Sequence, residues 1–177
     1  MSFDREKFKT LVQYICYRCE NPQLLGKTKL NKILWFSDML HFERTGEPLT
    51  GESYVKLTFG PVPTHVDHAI GELQSEGKLS VRLPEGDYDP TLFFAHDAPS
   101  LGIFSAEEIS LVDRIIEEIC SKHTASSISR LTHDAVYKLA EMGEEIPYEA
   151  FLASKLGEIT EKDVRWAQKE LQDAGSH

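Results

Sequence analysis

The sequence predicts one α+β domain, predominantly helical, with a small β-hairpin or sheet packed on a central helix. Three observations carry this. Apolar residues recur at helical spacing (i, i+3, i+4, i+7) in several segments that begin at cap residues. Short runs within Gly51–Phe59, Leu79–Leu83 and Thr91–Ala95 show the composition or alternation of strands between glycines and prolines. One helical segment, Thr28 to about Arg44, is apolar so far round its circumference that it must be covered on more than one side.

The first helix is expected over residues 3–20, with Phe8, Leu11, Val12, Ile15 and Cys16 as its stripe and Ser2 as its cap. Asn21-Pro22 ends it, because proline disfavours helical geometry in the residue before it, and QLLG follows as a loop. Helix two, capped by Thr28 and stopped by Gly46, should bury Leu30, Ile33, Leu34, Ser37, Leu40 and His41. Asp38 is expected at the edge of that stripe, paired with Lys32 or His41. Gly60-Pro61-Val62-Pro63 reads as a break after the first strand, with Pro63 in the first turn of helix three. Helix three carries Val66, Ile70 and Leu73, and a hairpin turning at Pro84–Asp87 follows. Three helices and then a hairpin is the order of a winged-helix domain.

Ser105-Ala-Glu-Glu108 is a capping box for a helix with Ile109, Val112, Ile115, Ile116 and Ile119 on one face. A short helix is expected over Ser126–Leu131, another capped by Thr132 with Ala135, Val136 and Leu139 inward, and a last turn over Tyr148–Ser154. A charged helix, capped by Thr160 and weakly striped, runs to about Ala174.

Composition sets the function classes. The 177 residues, 41% hydrophobic and 27% charged, suffice for one domain with a core plus a helical extension. No apolar run nears the roughly 18–20 residues that cross a bilayer. The first ten residues hold no apolar leader segment, so a cytoplasmic, membrane-free protein is expected. The three cysteines suit a reducing compartment, and Cys16-x-x-Cys19 is read as small apolar side chains of a helix rather than a redox or zinc pair. Net charge is −10 and uneven: 11 Lys and Arg stand against 14 Asp and Glu in residues 1–100, a net of −3, and 8 against 15 in residues 101–177, a net of −7. Such a chain is repelled by phosphate backbones and suits a basic protein partner. The turn of the second hairpin and helix three carry acids and no Lys or Arg, which argues against nucleic acid even on a winged-helix scaffold.

No constellation assembles into an active site by spacing, and no cofactor is expected. His65 and His68, at i, i+3, could ligate a metal with a distant third residue such as His41 or His133, but a surface pair is the simpler reading. His133 opens a helix beside Asp134, more simply bonded to backbone than acting as a base. Lys27, Lys29 and Lys32 form a basic cluster, expected as a solvated face or docking surface.

At Lys29-Leu-Asn-Lys32-Ile-Leu-Trp35-Phe36-Ser-Asp38, then Leu49-Thr-Gly51, Tyr54 and Gly60-Pro61-Val-Pro63, the chain resembles the Panacea domain of SocA-like antitoxins. Ser129-Arg-Leu-Thr-His133 and Gly143-Glu-Glu-Ile-Pro-Tyr148 resemble later features of that family. The resemblance covers Phe8 to Leu152, which suggests an antitoxin domain over residues 1–155 and a charged helical extension over 156–177. It implies a non-enzymatic protein that silences a cognate toxin by direct binding, or in an adaptor variant delivers the toxin to a bacterial protease. The family supplies no catalytic residues. Lys29, Lys32, Trp35, Phe36, Asp38, Tyr54, Gly60, Pro61 and His133 are its motif positions here and the candidates for partner binding. Leu30, Ile33, Leu34, Gly60 and Pro61 look structural, whereas packing alone does not explain Asp38, Tyr54 and His133. The alternatives are a metal-dependent enzyme built on His65 and His68, and a DNA-binding autorepressor using the winged-helix-like half.

Overall fold

A computed structural model describes residues 2–86, 89–133, 137 and 140–155. Helix α1 (Arg5–Arg18) is capped by the Asp4 carboxylate, which accepts the Lys7 N–H at 3.0 Å, so Asp4 and not Ser2 holds its start. The Asn21 side chain caps a single 3₁₀ turn, Pro22–Leu24, where a plain loop was expected. Helix α2 (Gly26–Thr45) begins two residues before Thr28 and has no side-chain cap, while Gly46, at φ +79°, ends it in the left-handed conformation.

The stretch read as a strand and then a break is a hairpin. Strand β1 (Tyr54–Leu57) pairs antiparallel with β2 (Gly60–Pro63), in the register Tyr54↔Pro63 and Lys56↔Pro61. Proline is tolerated because Pro61 and Pro63 alternate on the side of β2 that faces away from β1, where no ladder N–H is needed. Pro63 therefore ends a strand rather than opening a helix, and α3 (Val66–Ser75) starts three residues later. Lys56 uses its outward backbone groups on Gly143 and Glu144, so β1 lies between β2 and that segment. The winged-helix order is thus interrupted, with a hairpin between the second and third helices.

Strands β3 (Leu79–Arg82) and β4 (Leu92–Ala95) form the second hairpin. Helix α4 (Ala106–Lys122) has the predicted Ser105–Glu108 capping box, and α5 (Ala125–Leu131) has another from Thr124 and Ser127. Helix α6 (Tyr148–Lys155) follows Ile146, which is buried. The helix expected after Thr132, the turn residues Asp87 and Tyr88 and the C-terminal extension lie outside the described residues.

Helix α2 is the hub. It packs against α1, α4, α5, α6, β2 and β4 within one continuous core that includes Leu30, Ile33, Leu34 and Met39. Its ends are tied to α4 in antiparallel sense, Lys29 to the Cys120 carbonyl and His41 beside Glu108. The thiols behave as core groups: Cys16, Cys19 and Cys120 are all buried and free, with Cys19 Sγ 3.5 Å from Cys120 Sγ. Among the described residues no helix is long and apolar enough to cross a membrane.

Candidate functional site

Because α2 is covered on all sides, its polar residues become buried groups that need partners. Two lie six residues apart, about 9 Å along the axis. Asp38 is 0% exposed, inside the core rather than at the stripe's edge, and it pairs with neither Lys32 nor His41. Its carboxylate accepts the Thr50 N–H at 2.6 Å, the Thr50 hydroxyl at 2.8 Å and the Tyr54 hydroxyl at 2.6 Å. Burial pushes the Asp38 carboxyl above its ordinary range, against the pull of these donors and of the Gly51 N–H. Tyr54 in turn meets Trp35 edge-on at 5.0 Å, and Trp35 meets Phe151 the same way. The carboxylate thus staples α2 to the segment that leads into β1.

Lys32 marks the other end. It is 1% exposed, and its ammonium donates to the Pro61 carbonyl at 2.8 Å. Among the described residues no carboxylate pairs with it, and burial pulls its pKa down to about 7. Gly60 sits against it at φ +104°, and a Cβ there would run into the Lys32 ammonium and the Thr132 hydroxyl. The Gly-Pro element is therefore glycine for backbone sign and close approach, and proline at a position whose carbonyl, not its N–H, is used. Lys29 is buried too, with Nζ 3.4 Å from the Cys120 carbonyl. Of the basic cluster expected as a solvated face or docking surface, Lys27 alone stays exposed, bonded to Asp67.

The hairpin tip lies next to Lys32. Ser129 donates to the Phe59 carbonyl at 2.9 Å, and the Tyr137 hydroxyl donates to the Leu57 carbonyl. His133 stacks on Tyr137 at 4.2 Å, its Nε2 3.5 Å from the Ser129 hydroxyl, and its backbone N–H bonds the Arg130 carbonyl. The candidate motif residues thus divide: Lys32, Gly60, Pro61 and His133 gather at the hairpin tip, Asp38, Tyr54 and Trp35 at the other end, and Phe36 packs half-buried on the core. Lys29 belongs to the α2–α4 seam.

Two openings adjoin the hairpin tip. A groove of about 790 Å³ runs between the start of α2, the end of α4 and the Pro90–Thr91 segment. A cavity of about 170 Å³ lies between α2 and the hairpin, and Lys27, Thr28 and Phe59 border both openings.

The histidine pair does not converge. His65 Nδ1 lies 2.9 Å from Oε1 of the buried Glu52 and its ring stacks on Phe3, whereas His68 lies 3.7 Å from Glu72. Among the described residues no three His, Cys, Asp or Glu side chains are placed to hold a metal ion. Sequence reasoning passed over Thr50, Glu52 and Asn31, polar residues inside or beside a motif run, and read Thr132 only as a helix cap. No periodic signal marks them, because Thr50, Glu52 and Thr132 lie in connections and Asn31 lies off the predicted stripe of helix two.

Comparison with known proteins gives one family. The model of the Antitoxin SocA-like, Panacea domain matches residues 30–136. No curated protein and no solved structure matches the chain.

Proposed function

The chain belongs to the SocA-like antitoxin family that shares the Panacea domain, and on that premise we propose that it neutralises one cognate toxin by direct protein–protein contact. The observation that carries this reading is the family match over residues 30–136, which takes in most of α2, both hairpins and helices α3 to α5. The geometry supports action by contact. The ionisable motif residues Lys29, Lys32 and Asp38 are bound to groups of their own fold, while the neighbouring groove is open and bordered by the exposed Phe59. The net −7 of residues 101–177 suits a basic toxin, because complementary charge speeds encounter and excludes wrong partners.

The test is co-expression with the product of the neighbouring gene, reading growth and co-purification together. Restored growth with a stable complex is the expected result. Restored growth without a complex, with a shortened toxin half-life, would assign the protease-adaptor variant instead. The absence of both rescue and complex would overturn the antitoxin reading.

A further inference from the structure

We propose that Cys19 and Cys120 form a site of reversible oxidative modification, a disulfide that a hydroperoxide closes between the end of α1 and the end of α4. The inference goes beyond the antitoxin reading and does not depend on it. Placement is the first argument. Cys19 is the C-cap of α1 and Cys120 stands in the last turn of α4, 101 residues further on. Their Sγ atoms nevertheless lie 3.5 Å apart. A disulfide needs about 2.05 Å, so the two helix ends have little distance to close. The pair that the fold makes is not the Cys16-x-x-Cys19 of the sequence. Cys16 is 3% exposed in the core, and burial, with Cys19 nearby, pushes its thiol up, which leaves it inert.

The two sulfurs are prepared for different roles. Hydrogen bonding to Cys120 holds the Cys19 thiol below its usual range against burial, helped by the positive charges of Lys29 and Arg18. The same hydrogen bond and burial push the Cys120 thiol up, so the proton shared by the pair stays with Cys120. Lys29 is itself buried, with Nζ 3.4 Å from the Cys120 carbonyl, and among the described residues it pairs with no carboxylate. A thiolate on Cys19 supplies negative charge where that ammonium lacks it. Access comes from the groove of about 790 Å³, which Cys120 and Lys29 both line and which is wide enough for a molecule hardly larger than water.

The chemistry balances with one hydroperoxide per pair. The Cys19 sulfur attacks one peroxide oxygen and the O–O bond breaks, leaving a sulfenic acid on Cys19 and releasing water from a hydrogen peroxide molecule. The Cys120 sulfur then attacks the Cys19 sulfur, and the sulfenic hydroxyl leaves as a second water with the Cys120 proton. The two sulfurs together lose two electrons and two protons, and the peroxide gains them. Exchange with a thiol reductant reverses the bond.

The experiment uses the full chain with its three thiols reduced, and one equivalent of hydrogen peroxide as the probe. Two of the three thiols should be lost and the intact mass should fall by two hydrogens. Proteolytic mapping without reductant should recover a peptide that joins Cys19 to Cys120, and a dithiol should separate it. Closing so long a loop restricts the unfolded chain, so oxidation should raise Tm by about 5 °C or more. Cys16→Ala should react as the wild type does. Cys120→Ala should stop at the first step, with a sulfenic acid on Cys19 that dimedone labels. Three thiols left unreacted in the wild type would overturn the inference. So would a bond to Cys16, a sulfinic acid in place of the cross-link, or a lower Tm after oxidation. None of these outcomes bears on toxin neutralisation, which the co-expression test decides separately.

Discussion

Helix α2 buries one carboxylate, Asp38, and two lysines, Lys29 and Lys32, and the sites of Asp38 and Lys32 are finished differently. Around Asp38 every neighbour is a donor: the Thr50 N–H and hydroxyl and the Tyr54 hydroxyl all point at the carboxylate. Around Lys32 a single carbonyl is bonded, the adjacent Asn31 amide is unsatisfied at one end, and a cavity opens alongside. A closed network fixes geometry and leaves nothing to offer. An incomplete one costs stability in the free protein, and that cost is returned by whatever completes it. The carboxylate end is thus a closed part of the core, and the ammonium end is left incomplete beside a cavity.

The largest effect tests the closed end. Asp38→Ala leaves three buried donors without an acceptor and should destabilise the fold by about 3–5 kcal/mol, read as the midpoint of urea unfolding. A loss below ~1 kcal/mol would mean that water reaches this network, and the contrast between the two ends would disappear.

Lys32→Met sharpens the contrast through pH. The folded-state pKa of Lys32 is about 7 against an ordinary 10.5. Between those values the unfolded chain binds a proton that the folded chain lacks, so this group makes the wild type more stable as pH rises, by at most ~1.4 kcal/mol per pH unit. Below pH ~7 the buried ammonium costs most, and the methionine variant should there be the more stable of the two. Unfolding at pH ~6.5 and ~9 should show the wild type gaining up to roughly 2–3 kcal/mol on the variant. Parallel pH profiles would show that Lys32 is solvated in the folded protein.

Gly60→Ala is expected to have a smaller effect, about 1–3 kcal/mol, since φ +104° suits glycine and a Cβ meets Lys32 and Thr132. Thermal unfolding would measure it.

The sequence by itself determined the helices that lie within the described residues, the second hairpin and the family. Periodic stripes such as Ile109, Val112 and Ile116 and the Ser105–Glu108 box are local signals, complete within a dozen residues. The order Lys-Leu-Asn-Lys to Gly-Pro-Val was enough to point to the Panacea domain, and the match over residues 30–136 agrees. Tertiary structure alone decided the first hairpin, because Gly60–Pro63 extends only where its proline nitrogens face away from β1. It also decided the fate of the charges. Sequence alone put Asp38 at an edge and Lys32 on a solvated face or docking surface, yet coverage of α2 by elements distant in sequence buried both. Whether a buried charge is then satisfied depends on donors and acceptors brought by Thr50, β1 and β2, which no local pattern on α2 encodes.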